Sequence, residues 1–292
     1  MTIWQGDQRM KFSNFKFLAI VFTILSADVN AMLRALNTAA TGMSAQEANV
    51  NTISNNIANI NTVGFKKDRA EFEDLLYETV IVPGSRSSFS TKYNVGLQYG
   101  SGARVIGTKK EFTVGSPLIT NNPFDLMISG DGFFGIILPN NEVKYTRDGS
   151  FSVDNTGTMV TKQGYKVFPT LSFPSAVTNV VISENGSVDA YMKNQIEPLK
   201  IGQLPIFTFT NSTGLKNIGN NLYEISQSSG PPIQNVPGAD NAGAIMQGTL
   251  ESSNVNVMTE MTGLIKAQRA YEMNSKVMGI ADQMLQTVNN IR

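Results

Sequence analysis

The sequence contains no cysteine and no histidine. The first absence removes disulfides, thiol nucleophiles and thiolate metal ligands, and the second removes imidazole ligands and His-based acid/base arrangements. Catalysis would be left with paired carboxylates or a Ser/Lys dyad. No local spacing suggests either, so no catalytic, metal-binding or cofactor-binding residue is assigned. Net charge is lacking too, because 23 basic residues balance 23 acidic ones. Nucleic-acid binding rests on a concentration of Lys and Arg against phosphates, so a nucleic-acid partner is not expected. A chain without Cys is compatible with export in an unfolded, unlinked state.

An apolar run spans residues 17–25, preceded by Lys11 and Lys16. It falls short of the roughly 20 apolar residues that cross a bilayer. With Ser26, Ala27, Val29 and Ala31 after it, residues 1–31 have the outline of a signal peptide cleaved after Ala31. The alternative is an extension ahead of a true start at Met32. Either reading leaves a mature chain that begins at Met32.

Helical periodicity is confined to the two ends. Leu36, Met43, Val50 and Ile57 recur every seventh residue, with Ala39, Gln46, Ile53 and Ile60 interleaved. Val257, Leu264, Tyr271, Met278 and Leu285 repeat the pattern near the C-terminus, and Ala270, Val277, Met284 and Ile291 broaden the apolar face. Between Met32 and Ile60 the charged residues are Arg34 and Glu47. An ordinary surface helix carries a charged outer face, so this one, roughly 44 Å long, is expected to meet neighbours on several sides. The plainer reading is a helical hairpin within one domain. Asn55, Asn56, Asn59 and Asn61, followed by Gly64, predict the helix exit. Ser253 or Asn254 is the expected cap of the second helix.

Hydrophobic residues make up 41% of the chain, slightly low for one compact core, and 25 glycines suit turn-rich β structure. Residues 85–102 are rich in Ser, Gly and Tyr and read as a flexible or extended connector. From Val105 to about Gly248 short β-type runs alternate with turn signals, which predicts antiparallel strands at 124–129, 132–138, 143–146, 150–153 and 158–161. Gly130-Asp131-Gly132 is expected to be a tight turn, since no phosphate-loop Lys or following helix accompanies it. Asp154 to Gly157 lacks the alternating ligands of a calcium loop and is expected to be a hairpin turn. The prolines at 231, 232 and 237 mark the return path out of the β region.

The run containing Asn55, Asn56, Ile57, Ala58 and Asn59, followed by Thr62, Gly64, Phe65 and Lys66, resembles the signature of flagellar basal-body rod and hook proteins. Ile128 to Phe134, Tyr145 to Phe151 and Ala267 to Lys276 resemble further segments of that family. Phe72 to Tyr77 with Thr79, Pro83-Gly84 and Gly96 to Arg104 are most similar to its distal-rod branch. A member would begin near Met32, which favours the extension reading of residues 1–31.

The resemblance implies an α+β fold. Its terminal helices (32–66 and 249–292) form a discontinuous coiled-coil-like domain, joined by a connector (67–104) to a β-rich, mainly antiparallel middle domain (105–248). It also implies a structural subunit, exported by the flagellar secretion system, that polymerises into the rigid hollow drive shaft of the basal body in the periplasm. Its expected partners are further copies of itself, proximal rod proteins, the hook protein, the P- and L-ring proteins and the export apparatus. Leu36, Met43, Val50, Ile53, Ile57, Ile60, Leu264, Tyr271, Met278 and Leu285 are the expected helix-packing positions. A hook or proximal-rod subunit, a secreted β-rich binding module and a carboxylate-dependent hydrolase are the alternatives.

Overall fold

The computed structural model describes residues 7–86, 91–174, 177–193, 197–239 and 242–290, with side chains described from Met32 onward except that of Asn289. Helix α1 spans Asp7–Ala58 and helix α2 spans Val257–Asn290. Helical backbone therefore continues upstream of Met32 through the apolar run at 17–25, whose side chains, like Ile291, lie outside the described residues. No helix among the described residues is long and apolar enough to cross a membrane.

α1 ends where the sequence turns to Asn. The Asn59 N–H donates to the carbonyls of Asn55 and Asn56, the Thr62 N–H donates to the Asn59 carbonyl, and Gly64 turns the chain at φ +69°. α2 is capped by Asn256, whose Oδ1 accepts from the Thr259 N–H at 3.2 Å. The expected caps serve elsewhere. Asn254 accepts from the Lys67 N–H at 2.8 Å, and Ser253 Oγ accepts from the Val255 N–H. Both precede the cap because residues Thr249–Glu251 form a strand paired with Pro117–Ile119, which delays the helix.

Contacts divide the chain into two compact units. The helical unit combines Met1–Asn51, Ala70–Gly107 and Gly263–Arg292; the β unit combines Thr52–Arg69 with Thr108–Thr262. In the helical unit, residues 85–102 are not an unpaired connector. Strand Tyr77–Ile81 pairs antiparallel with Leu97–Gly100, and an isolated bridge joins Arg86 to Lys92, so the segment is a β-hairpin. Both strands are exposed on almost every residue. Residues 87–90 lie outside the described part.

The β unit is built around a seven-stranded sheet in the spatial order Lys216–Gly219, Leu222–Glu224, Val143–Thr146, Phe134–Ile137, Lys166–Phe168, Met159–Thr161, Phe151–Val153. Neighbours are antiparallel throughout. A three-stranded antiparallel sheet (Val177–Ile182, Ser187–Met192, Leu199–Gln203) adds Val180, Ile182 and Val188 to a core formed with Leu126, Phe134, Ile136, Met159 and Leu204. The predicted turns are present: Asp154 to Gly157 closes a hairpin through Gly157 N–H to the Asp154 carbonyl, and Gly130 and Gly132 adopt φ +125° and +139°. The proline-flanked return path contains a further strand, Ile233–Asn235, paired with Ile206–Thr208.

Candidate assembly site

In the helical unit α1 and α2 run antiparallel. Met32 and Ala35 share an apolar hollow of about 440 Å³ with Val277, Ile280, Ala281, Met284 and Val288. Further along, Gly42 lies so close to Asn274 that a Cβ there would stand 2.7 Å from its Nδ2. Small residues make this approach possible: Ala39 and Ala45 of α1 and Ala267 and Ala281 of α2 are buried. Among the positions expected from the heptads, Leu36, Met43, Val50, Leu264, Met278 and Leu285 are half-buried along this pair, and Tyr271 is exposed. Ile53 is buried, and Ile57 and Ile60 are half-buried, in the β unit. The larger chains flank a seam of Gly and Ala, which an apolar heptad count passes over because Ala adds little hydrophobic area.

The hairpin base is fixed to α1. Arg34 Nη1 donates to Glu78 Oε2 at 2.7 Å while its guanidinium lies over the Tyr99 ring at 4.9 Å. At Gly102, φ +107°, a Cβ would approach Thr41 Oγ1 to 2.1 Å, so this crossing requires glycine. Beyond the base, Leu76, Val80, Val82, Val95 and Leu97 are exposed. So are Met258, Met261, Ile265, Met273, Val277, Ile280 and Met284 on α2. Met258, Met261, Ile265 and Met273 stand clear of the apolar hollow, whereas Val277, Ile280 and Met284 border it.

The β unit holds the exit of α1 through a buried polar cluster. Lys66 Nζ donates to Glu251 Oε1 at 2.6 Å and to the Thr113 carbonyl at 2.6 Å. The same carboxylate oxygen accepts from the Gly115 N–H at 2.9 Å, and the Glu251 carbonyl accepts from the Gly64 N–H at 2.8 Å. Arg147 Nη1 stands 3.7 Å from Glu251 Oε2, and its guanidinium covers the Phe133 ring at 5.2 Å. Among the described residues, Arg147 Nε and Nη1 and Glu251 Oε2 have no hydrogen-bond partner. Two cations thus share one buried carboxylate. Burial pushes the Lys66 ammonium and the Arg147 guanidinium below their ordinary values, against the pull of Glu251.

Asn56, also buried, is a second fastening. Its Nδ2 donates to the Asp68 carbonyl at 2.8 Å and to Glu260 Oε2 at 3.2 Å, and its Oδ1 accepts from the Asp68 N–H at 2.9 Å. One amide thereby joins the last turn of α1 to the strand Asp68–Asp74 and to the first turn of α2. Asn59 caps locally, donating to the Asn55 carbonyl and accepting from Thr62 Oγ1. Phe65 is buried beneath the Lys110 ammonium, which lies 5.3 Å from the ring centroid. A Cβ on Gly64 would meet the Arg147 carbonyl carbon at 2.7 Å. Of the signature residues, Asn55 and Ala58 remain exposed. Sequence reasoning missed Arg147, Glu251 and Glu260 and read Asn254 as a cap, because the partners of all four lie far away along the chain.

Three family profiles match separate segments: the flagella basal body rod protein over residues 36–66, the flagellar hook protein FlgE/F/G D1 domain over 127–190, and the flagellar basal body rod FlgEFG protein C-terminal region over 246–291. Lys66, Arg147 and Glu251 come one from each. The FlgG rod protein of Borreliella burgdorferi is 45% identical over 263 residues, covering 89% of this chain and 99% of its own. That of Caulobacter vibrioides is 45% identical over 261 residues, covering 89% and 100%. That of Buchnera aphidicola from Acyrthosiphon pisum is 43% identical over 260 residues, also covering 89% and 100%. Among solved structures, the Helicobacter pylori hook protein FlgE2 aligns at a TM-score of 0.22 and 17% identity, over 64% of this chain and 43% of that one. Identity at this level along the full length of such relatives means that the chain belongs to the FlgG family of flagellar basal-body rod proteins.

Proposed function

We propose that this protein is the structural subunit of the distal rod of the bacterial flagellar basal body. It polymerises through its terminal helices into a stiff hollow shaft that carries torque to the hook and conducts exported subunits. The observation that carries this reading is the row Met258, Met261, Ile265 and Met273 on α2, which faces solvent in the single chain. A row of this kind along a helix is an association surface, since burial contributes about 25 cal/mol per Å² of apolar area. Further copies of the chain cover it in the shaft. The hairpin at Tyr77–Ile81 and Leu97–Gly100 fills space between copies and limits bending.

Proximal rod proteins contact one end of the polymer and the hook protein the other, the P- and L-ring proteins surround it, and the export apparatus delivers its subunits. No catalytic step enters this reading. The test is the double variant Ile265→Asp/Met273→Asp in full-length protein. It is expected to keep its folded circular-dichroism spectrum, to form no rods by electron microscopy and to leave cells non-motile. Rods of normal length from a folded double variant would overturn the reading.

A further inference from the structure

With no cysteine in the chain, methionine thioethers are the only sulfur groups open to oxidants. Their placement is uneven. Met127 and Met159 are buried in the β unit, whereas Met258 is 72% and Met273 63% exposed on α2, with Met261 and Met284 about half exposed. Met258 and Met261 sit with Ile265 at spacings of three and four residues, and Met273 and Met284 enclose Val277 and Ile280 in the same rhythm. Met284 also lines the apolar hollow beside Met32 and Ala35. These thioethers are accessible in the free subunit and belong to a surface whose apolar character promotes association.

We propose that Met258, Met261, Met273 and Met284 form an oxidation-sensitive site through which peroxide-class oxidants control subunit assembly, an inference that rests on the assembly reading above. In the reaction, the thioether sulfur attacks one peroxide oxygen, the O–O bond breaks and an S=O bond forms. Sulfur loses two electrons, and the other peroxide oxygen takes them and leaves as water. Each sulfoxide places a strong hydrogen-bond acceptor on an apolar contact surface, and burying it without a donor is unfavourable. Met-sulfoxide reductases reverse the change. The β unit of an oxidised subunit stays folded, since Met127 and Met159 are shielded in its core, but the subunit is excluded from the polymer.

The experiment treats the full-length subunit with hydrogen peroxide, maps sulfoxides by mass spectrometry and measures polymer by sedimentation and electron microscopy. Oxidation is expected at the α2 methionines and at exposed Met246 before Met127 and Met159. Polymer yield should fall roughly tenfold or more, equivalent to about 1.4 kcal/mol, and sulfoxide reductases should restore it. The variant Met258→Leu/Met261→Leu/Met273→Leu/Met284→Leu keeps Met246 and should polymerise normally after the same treatment. Undiminished polymer from wild-type protein oxidised at all four positions, or equal inhibition of the variant, would overturn the proposal while leaving the assembly reading intact. Failure of the untreated subunit to polymerise would overturn both. Peroxide treatment of finished polymer supplies a measurement without variants: the four α2 methionines should be protected relative to Met246, and equal oxidation would count against the site.

Discussion

Lys66 and Glu251 meet at 2.6 Å across a sequence separation of 185 residues, with both side chains fully excluded from solvent. Among the described residues Glu251 is the one carboxylate within ion-pair distance of both Lys66 and Arg147, with Asp131 adding a weaker attraction to each, so the partners are not equivalent. Glu251→Gln leaves two buried cations with only the weaker attraction of Asp131 and should cost more than Lys66→Met, which leaves Glu251 within reach of Arg147. Breaking a buried pair from one side costs about 3–5 kcal/mol. Urea denaturation should place Lys66→Met near the lower end and Glu251→Gln at or beyond the upper end.

Gly64 turns the chain immediately before Lys66. Its φ of +69° disfavours any Cβ, and the Arg147 backbone leaves no space for one. Gly64→Ala should destabilise by about 2–3 kcal/mol through backbone strain and contact together, read as a lower midpoint at unchanged denaturant slope.

Asn56 uses both ends of its amide, on Asp68 and on Glu260. Asn56→Asp replaces the donor with a second carboxylate facing Glu260, whereas Asn56→Leu removes donor and acceptor together. Each should cost about 2–4 kcal/mol from buried groups left unpaired. The Asp variant should recover stability on acidification as the introduced carboxyl group protonates, and the Leu variant should lack that recovery.

Tyr223 packs edge-on against Phe112 and Phe133, and burial pushes its phenol well above its ordinary value of 10.0. The folded state therefore holds this proton more tightly than the unfolded chain. Its contribution is complete below pH 10 and is lost as pH rises through the folded value, at up to about 1.4 kcal/mol per pH unit. Lys66, whose proton burial disfavours, acts in the opposite sense below its ordinary 10.5. The difference between wild type and Tyr223→Phe isolates the phenol: above pH 10 the wild type should lose stability more steeply than the variant.

Periodicity made the helices legible because Leu36, Met43, Val50 and Ile57 repeat at the spacing of a helical seam. Strands such as Val143–Thr146 were legible because turn residues bracket them. The hairpin at Tyr77–Ile81 and Leu97–Gly100 was not, since exposure of both its faces removes the alternation that identifies a strand. Asn254 looked like a cap because the local pattern suits one, yet Lys67, Glu111 and Thr113 compete for its amide. Glu251 carried no local signal at all, for its partners arrive from Lys66, Gly115 and Arg147. The Ala and Gly seam was present in the sequence, but its small residues signal close approach rather than hydrophobic area.

The clasp of Lys66 on Glu251 also sets an order of events. A chain emerging amino end first presents Lys66 early, and Glu251 follows only after the β unit's strands from Pro117–Ile119 to Ala244–Gln247 have appeared. Until then the ammonium has no carboxylate to close upon, the Gly64 N–H lacks the Glu251 carbonyl, and Asn56 lacks Glu260. The exit of α1 is thus held ajar until nearly all of the β unit has arrived, and the subunit becomes a finished building block only once Glu251 is in place.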